Sequence, residues 1–458
     1  MKVYQSVFLL FWAFQASLVM AAEVEKPARP NIIMICLDDL NDWVGFLGGH
    51  PDVKTPHMDR LAKRGRVFAN AHCVVPVCSC SRVSIISGLH ATTHGSYEFG
   101  PAYQSIPALK NVPCLHQHFK DHGYRTLTGG KVLHHGFEGA LSKAIDVKLG
   151  RSGGPRRKEN INWPGGPWDW GAFPESDDQM QDYQLAQKAA ALLGQKQNEP
   201  FFMSVSIFRP HVPLLVPQKW FDLYDREKLT LPKAPSWDLD DLPPNLRGRI
   251  NVEPVHDEVV QKGVWRGMVH AYLASTTFAD HCVGTILQGL EGGPKRDNTI
   301  VVLWSDHGFH LGEKHQWAKR TLWEESTRVP LLVSGPGIAP GRCGEAVSLL
   351  DLYPTLVELC GIPAPKKLDG LSLVPQIRKP TARRSRPVII SSFYGNHAVR
   401  TRDWRLIRYA DGARELYHHL NDPDEFTNLA NRPMYEKTWS SLAKWLPKDS
   451  APEVCAKK

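Results

Sequence analysis

Two acidic segments stand directly after apolar runs of strand length. Asn31 to Leu37 (NIIMICL) is followed by Asp38 and Asp39, and Thr299 to Trp304 (TIVVLW) by Ser305, Asp306, His307 and Gly308. Near-continuous apolar strands belong to a parallel or mixed sheet with both faces covered. Ligands of such sheets bind beyond the carboxyl ends of the strands. If the two strands are parallel neighbours, three carboxylates and an imidazole meet at one rim, where they repel one another unless a cation neutralises them. Oxygen-dominated ligation favours Ca²⁺ or Mg²⁺, and the one imidazole keeps zinc open. One such segment would simply cap a turn; two matching segments favour metal.

A second group lies in Asn70 to Gly88 (NAHCVVPVCSCSRVSIISG). Pro76 precedes a short helical stretch, Ser79 to Ser87, which Gly88 can close. Cys78 then sits at the first turn and Arg82 lies over the same face, four residues on. A helix N-terminus stabilises anions, and a guanidinium adds a forked donor for tetrahedral oxyanions such as sulfate or phosphate. Composition alone would read the same residues as a buried thiol and a surface arginine.

Cys78-Ser79-Cys80-Ser81-Arg82, ending in Ser87-Gly88, resembles the signature of type I sulfatases, Cys-x-Pro-Ser-Arg followed after three residues by Leu-Thr-Gly. The resemblance extends along most of the chain. Asp38-Asp39, Gly130-Lys131 with His134, Arg209-Pro210-His211, Ser305-Asp306-His307-Gly308 and Gln316-Trp317-Ala318-Lys319 all fall in the family's order. Within that family the resemblance points to the iduronate 2-sulfatase branch. Two positions depart from the pattern: Cys80 replaces Pro or Ala, and Ser87 replaces Thr. The first bears on maturation rather than on fold.

The resemblance implies an alkaline-phosphatase-like α/β fold, a mixed sheet covered by helices on both faces with a small C-terminal antiparallel subdomain. It implies a sulfuric ester hydrolase whose Cys78 is oxidised to formylglycine by a maturation enzyme, the hydrate being the nucleophile. Asp38, Asp39, Asp306, His307 and residue 78 would hold Ca²⁺ (alternatively Mg²⁺). Arg82 would clamp the nucleophile or the carboxylates, and Lys131 and Lys319 would offset transition-state charge. His211 would protonate the leaving oxygen, and His134 would deprotonate the second hydroxyl of residue 78 so that sulfate is expelled. His135 competes with His134, and only the family spacing from Lys131 decides between them.

Elements must carry these groups. Further strands are expected at Phe201 to Ile207 and Val329 to Val333, with helices over Met58 to Gly65, Gln181 to Leu193 and Trp265 to Leu290. That alternation reads as α/β. The long segment from Gly150 to Pro174, rich in Gly, Pro and Trp, reads as a loop whose Trp163, Trp168 and Trp170 either stack on sugars or pack over the domain edge. Past a basic, Pro-punctuated connection (Lys366 to Arg386), short runs with turns at Tyr394-Gly395-Asn396 and Asp411-Gly412 suggest antiparallel strands. By analogy with the sulfatase C-terminal sheet, His397 and Arg400 are expected to reach the leaving-group side. The expected divisions are 1–22, 23–375 and 376–458.

The 458 residues include 14 Trp, 17 Phe and 12 Tyr, enough to bury a large core and to exclude disorder. The formal charge of +8 modestly favours anionic partners. Lys2, the apolar run Val7 to Phe14 and the small residues at Met20-Ala21-Ala22-Glu23 read as a secretory signal, and a run this short is not expected to serve as a membrane anchor. Nine cysteines in an exported chain leave one unpaired. The expected protein is therefore a periplasmic or extracellular enzyme acting on sulfated mono-, oligo- or polysaccharide, with no nucleic-acid partner. Its competitors are a phosphatase or phosphodiesterase of the same superfamily and a non-catalytic sulfated-glycan binding protein.

Overall fold

The computed structural model describes residues 29–163, 167–243, 246 and 254–454. The expected leader, 1–22, lies outside them.

Eight strands form the main sheet: β1 (Asn31–Asp38), β2 (Arg66–Phe68), β3 (Arg125–Gly130), β4 (Val147–Gly150), β5 (Phe201–Pro210), β6 (Thr299–Ser305), β7 (Leu331–Ser334) and β8 (Gly341–Cys343). Their order is β8-β2-β7-β6-β1-β5-β3-β4. β1 runs parallel to both β5 and β6, with Leu37 opposite Ser305. β7 alone runs against the others, pairing antiparallel with β6 and β2. The sheet is mixed, as expected.

The apolar run of β1 is continuous because both faces are covered. Ile33, Ile35 and Leu37 join the core built on α5 (Trp265–Glu291), together with α1 (Pro56–Ala62) and α4 (Gln181–Leu193). Ile32, Met34 and Cys36 join the opposite core, with residues of α2 (Cys78–Ser87), α3 (Leu115–Asp121) and α6 (Leu352–Leu359). Period-two alternation of Cβ directions divides one strand between two cores. Truncating Ile33 or Ile35 to alanine would cost about 2–5 kcal/mol in such packing. Trp168 and Trp170 are buried in the first core with Trp163 against it, so these rings pack the domain edge.

One expected strand is two. Pro330 lacks a donor and splits Val329 to Val333: Arg328–Val329 pairs with Ala71–His72 in a separate small sheet, and only Leu331–Ser334 enters the main one. The C-terminal runs form a four-stranded antiparallel meander, β9 (Val388–Ser391), β10 (His397–Arg400), β11 (Trp404–Arg408) and β12 (Arg414–His418). Eight cysteines fall within the described residues, all buried and all free thiols. No helix among the described residues is long and apolar enough to cross a membrane.

Candidate active site

Four parallel strands deliver their carboxyl ends to one place. β1 ends in Asp38, with Asp39 next in a left-handed conformation (φ 64°). β6 ends in Ser305 before Asp306 and His307, β5 ends in Arg209-Pro210 before His211, and β3 ends in Gly130 before Lys131. Gly130 has φ +74°, and a Cβ there would stand 2.0 Å from the carbonyl oxygen of Ser206, so the approach to Lys131 requires glycine.

α2 aims its N-terminus at the same point. Cys78 is its first residue and Gly88 closes it at φ 71°. Every residue of this helix is buried, and Ser81 Oγ donates to the Asp306 carbonyl at 2.6 Å. Arg82 spans the strand ends. Its Nε lies 2.8 Å from Asp306 Oδ2 and its Nη2 3.1 Å from Asp38 Oδ1, while Nη1 donates to the Lys131 carbonyl and to Ser206 Oγ. A planar fork suits this bridging, which an ammonium could not copy.

Around the Cys78 sulfur, Lys319 Nζ lies at 3.1 Å and His307 Nε2 at 3.2 Å. Lys319 also pairs with Asp39 Oδ1 at 2.5 Å, and Lys131 with Asp38 Oδ2 at 2.8 Å. His211 Nε2 stands 3.7 Å from Asp39 Oδ2, on a side chain partly open to solvent. The ring of His134 contacts those of Phe99 and His135, and His135 is turned to the Gly100 carbonyl. Lys319 is held by an unusual backbone, because Lys314, His315, Ala318 and Arg320 all have positive φ. Such strain persists where the surroundings over-determine it and clusters at functional sites.

Residues 30–362 match the sulfatase family model, well over half of the chain. The chain belongs to the sulfatase family. It is a type I sulfatase and a sulfuric ester hydrolase. Residues 312–451 also match the model of the N-sulphoglucosamine sulphohydrolase C-terminal region. A sulfatase of Formosa agariphila is 37% identical over 94% of this chain and 89% of its own length. Iduronate 2-sulfatase of Mus musculus is 30% identical over 79% of this chain and 74% of its own length, a lower identity that does not assign the branch. The structure of a 2-O GAG sulfatase shares the fold, with a TM-score of 0.71, 24% identity and 91% of each chain covered.

The electrostatics of the sulfatase site separate its groups. Burial would raise the Cys78 thiol, but Lys319, Lys131 and His307 hold it well below the ordinary range despite nearby Asp38. Cys80 goes the other way: burial pushes it up to about 12, and its thiol faces the Glu98 carbonyl and Ser96. Two residues apart, the two thiols are shifted in opposite directions. Burial also opposes ionisation of Asp38, yet Lys131 and Arg82 hold it well below the carboxylate range. Asp306 is raised by burial to about 6, and His307, although buried, is raised by Asp306 to about 9. His134 is lowered to about 4 by burial and by Lys131, which leaves it neutral and able to accept a proton.

The donor set fits a divalent cation. Single ligand atoms of Asp38, Cys78, Asp306 and His307 lie within 4.8 Å of one another, and so do those of Asp39, Cys78 and His211. Asp39 Oδ2 is buried without a hydrogen-bond partner, a cost relieved by a cation. His307 Nδ1 faces the Gly308 carbonyl at 2.9 Å, which fixes the tautomer and turns Nε2 into the cluster.

Ten of the twelve residues singled out from the sequence converge here. His397 and Arg400 do not. His397 is buried against Ser391, with Nδ1 2.8 Å from Oγ. Arg400 is buried in an ion pair with Glu324, beside Arg405 and the Glu425 carboxylate, and serves the packing of the C-terminal sheet on the core. Sequence reasoning missed Phe99, whose ring lies against that of His134, and Arg320, whose guanidinium lies over the Phe99 ring. Arg320 follows Lys319 directly, and that adjacency was the only available signal.

Proposed function

We propose that the chain is an exported sulfatase that releases sulfate from sulfated carbohydrate, using formylglycine made from Cys78 and a bound Ca²⁺ (alternatively Mg²⁺). The observation carrying this reading is the position of Cys78 at the N-terminus of a buried helix, its sulfur within 3.2 Å of both Lys319 and His307. Asp38, Asp39, Asp306 and His307 would hold the cation, which supplies positive charge for sulfate oxygens and favours ionisation of the attacking hydroxyl.

The remaining roles go to the other side chains of the cluster. Arg82 keeps Asp38 and Asp306 in register and positions them without reacting. Lys131 and Lys319, already paired with Asp38 and Asp39, present ammonium groups to the sulfate. His211, partly exposed and beside Asp39, donates a proton to the leaving oxygen. His134, neutral above about pH 4, accepts the proton that leaves the residue 78 side. The relative named for iduronate supports a carbohydrate substrate. The sequence of residues 1–22 supports export.

The test is sulfate release from aryl sulfate and sulfated saccharides by protein produced with a maturation enzyme, beside an aryl phosphate. Sulfate release that a Cys78→Ala variant lacks supports the reading. Faster turnover of the phosphate than of any sulfate ester overturns it in favour of a phosphatase.

A further inference from the structure

The catalytic cluster accounts for the scissile sulfate and not for the rest of the substrate. Phe99, whose ring lies against that of His134, is with Phe393 and Tyr394 among the ten exposed large hydrophobic side chains of the described residues. Phe99 is 42% exposed, yet its ring centroid is 5.5 Å from that of His134. The Arg320 guanidinium carbon sits 5.3 Å from the same ring. Arg320 is pinned by its backbone, whose N–H donates to the Pro76 carbonyl at 3.1 Å and whose own carbonyl accepts from Ser392 Oγ. That serine leads into Phe393, a bulky residue at φ 57°, and then Tyr394, whose ring meets Tyr97 edge-on at 5.6 Å.

Three separate segments thus build one wall continuous with Lys319 and His134. Two of its residues, Arg320 and Phe393, are in a backbone region that bulky side chains avoid, which marks the wall as shaped rather than incidental. Among the described residues the Arg320 guanidinium makes no hydrogen bond or ion pair; Glu98 senses its charge without pairing with it. An exposed ring offers an apolar face to a pyranose, and an unpaired guanidinium beside it offers a fork to oxyanions.

We propose that Phe99, Arg320 and Tyr394 form a subsite for the leaving-group side of the substrate, and that Arg320 selects saccharides carrying a second anionic group, a carboxylate or another sulfate. This rests on the hydrolase reading above. The probes are a sulfated uronate-containing disaccharide, its carboxyl-reduced neutral counterpart, a disulfated disaccharide without carboxylate, and 4-nitrophenyl sulfate, each with the matured enzyme. Arg320→Gln should lower kcat/KM for an anionic disaccharide about tenfold or more relative to the neutral one, mostly through KM. A fall confined to the uronate assigns a carboxylate, a fall confined to the disulfate assigns a sulfate, and either supports the subsite. Phe99→Leu should lower all three disaccharides relative to 4-nitrophenyl sulfate. Arg296→Gln, an exposed arginine at the opposite end of β6, controls for net charge and should change none of these ratios. Equal falls for neutral and anionic disaccharides, or unchanged ratios, overturn the proposal. If the wild type releases sulfate from no probe, the hydrolase reading fails, and calorimetric titration with the sulfated uronate disaccharide decides the subsite alone. About tenfold weaker binding to Arg320→Gln then supports it, and equal binding overturns it.

Discussion

Arg82 joins Asp38 and Asp306 across two neighbouring strands, at 3.1 Å and 2.8 Å, with all three side chains fully buried. Removing one partner of a buried, hydrogen-bonded pair leaves an uncompensated charge and costs about 3–5 kcal/mol. Arg82→Lys keeps the charge and loses the fork, so it cannot satisfy both carboxylates. The expected outcome is a lower midpoint in thermal unfolding and weaker binding of Ca²⁺ in calorimetry. Wild-type values for both would show that the bridge is not needed to position the carboxylates.

The two thiols near the helix N-terminus predict opposite phenotypes. Cys78→Ala removes the group flanked by Lys319 and His307 and should lower turnover by about a thousandfold or more. Cys80, raised to about 12 by burial, behaves as a small apolar residue, so Cys80→Ala should retain activity within about threefold. Steady-state rates on an aryl sulfate check both.

Gly308 follows His307 and approaches the backbone too closely for any side chain. A Cβ there would stand 2.0 Å from the Glu325 carbonyl oxygen and 2.9 Å from that of Arg328. Because that backbone cannot yield cheaply, Gly308→Ala should displace His307, with loss of activity and a lower melting temperature. A folded, fully active variant would contradict this reading of the motif's glycine.

Acid should destabilise the fold through buried neutral histidines. His94, His116 and His310 are each lowered by burial to about 3. His116 sits edge-on against Phe137 and Phe202 with only Ser204 Oγ to bond. The folded values lie below the unfolded value of about 6.5, so the unfolded chain binds more protons. Their contribution is complete above about pH 6.5 and is lost as pH falls towards 3. Each proton adds a slope of about 1.4 kcal/mol per pH unit. His116→Phe should flatten the dependence by about one proton between pH 6 and 4, measured by urea unfolding. An unchanged slope would mean that His116 titrates normally.

How much of this was legible in the sequence depended on the kind of signal. Asp38-Asp39 and Asp306-His307 could be placed together because uninterrupted apolar runs mark strands buried on both faces, and β1 and β6 are indeed parallel neighbours. The boundaries of α4 coincide with Gln181 to Leu193 because its apolar period is clean. Val329 to Val333 misled because its apolar character is continuous while Pro330 divides its pairing. His397 and Arg400 misled for a different reason. A strand position says which face a side chain takes but not whether that face meets a pocket or a partner, and Glu324 lies 76 residues away from Arg400 in sequence. The Phe99–Arg320 wall was invisible for the same reason, since segments 97–99, 320 and 392–394 meet only in three dimensions.

The central claim concerns the chemical state of residue 78, and mass spectrometry of the tryptic peptide Val67–Arg82 from protein made in its native host tests it most directly. The expected result is an aldehyde or its hydrate in place of the Cys78 thiol, with Cys80 unmodified beside it. Unmodified cysteine at 78 in folded protein that still releases sulfate would contradict the account, because the nucleophile would then have to be another group.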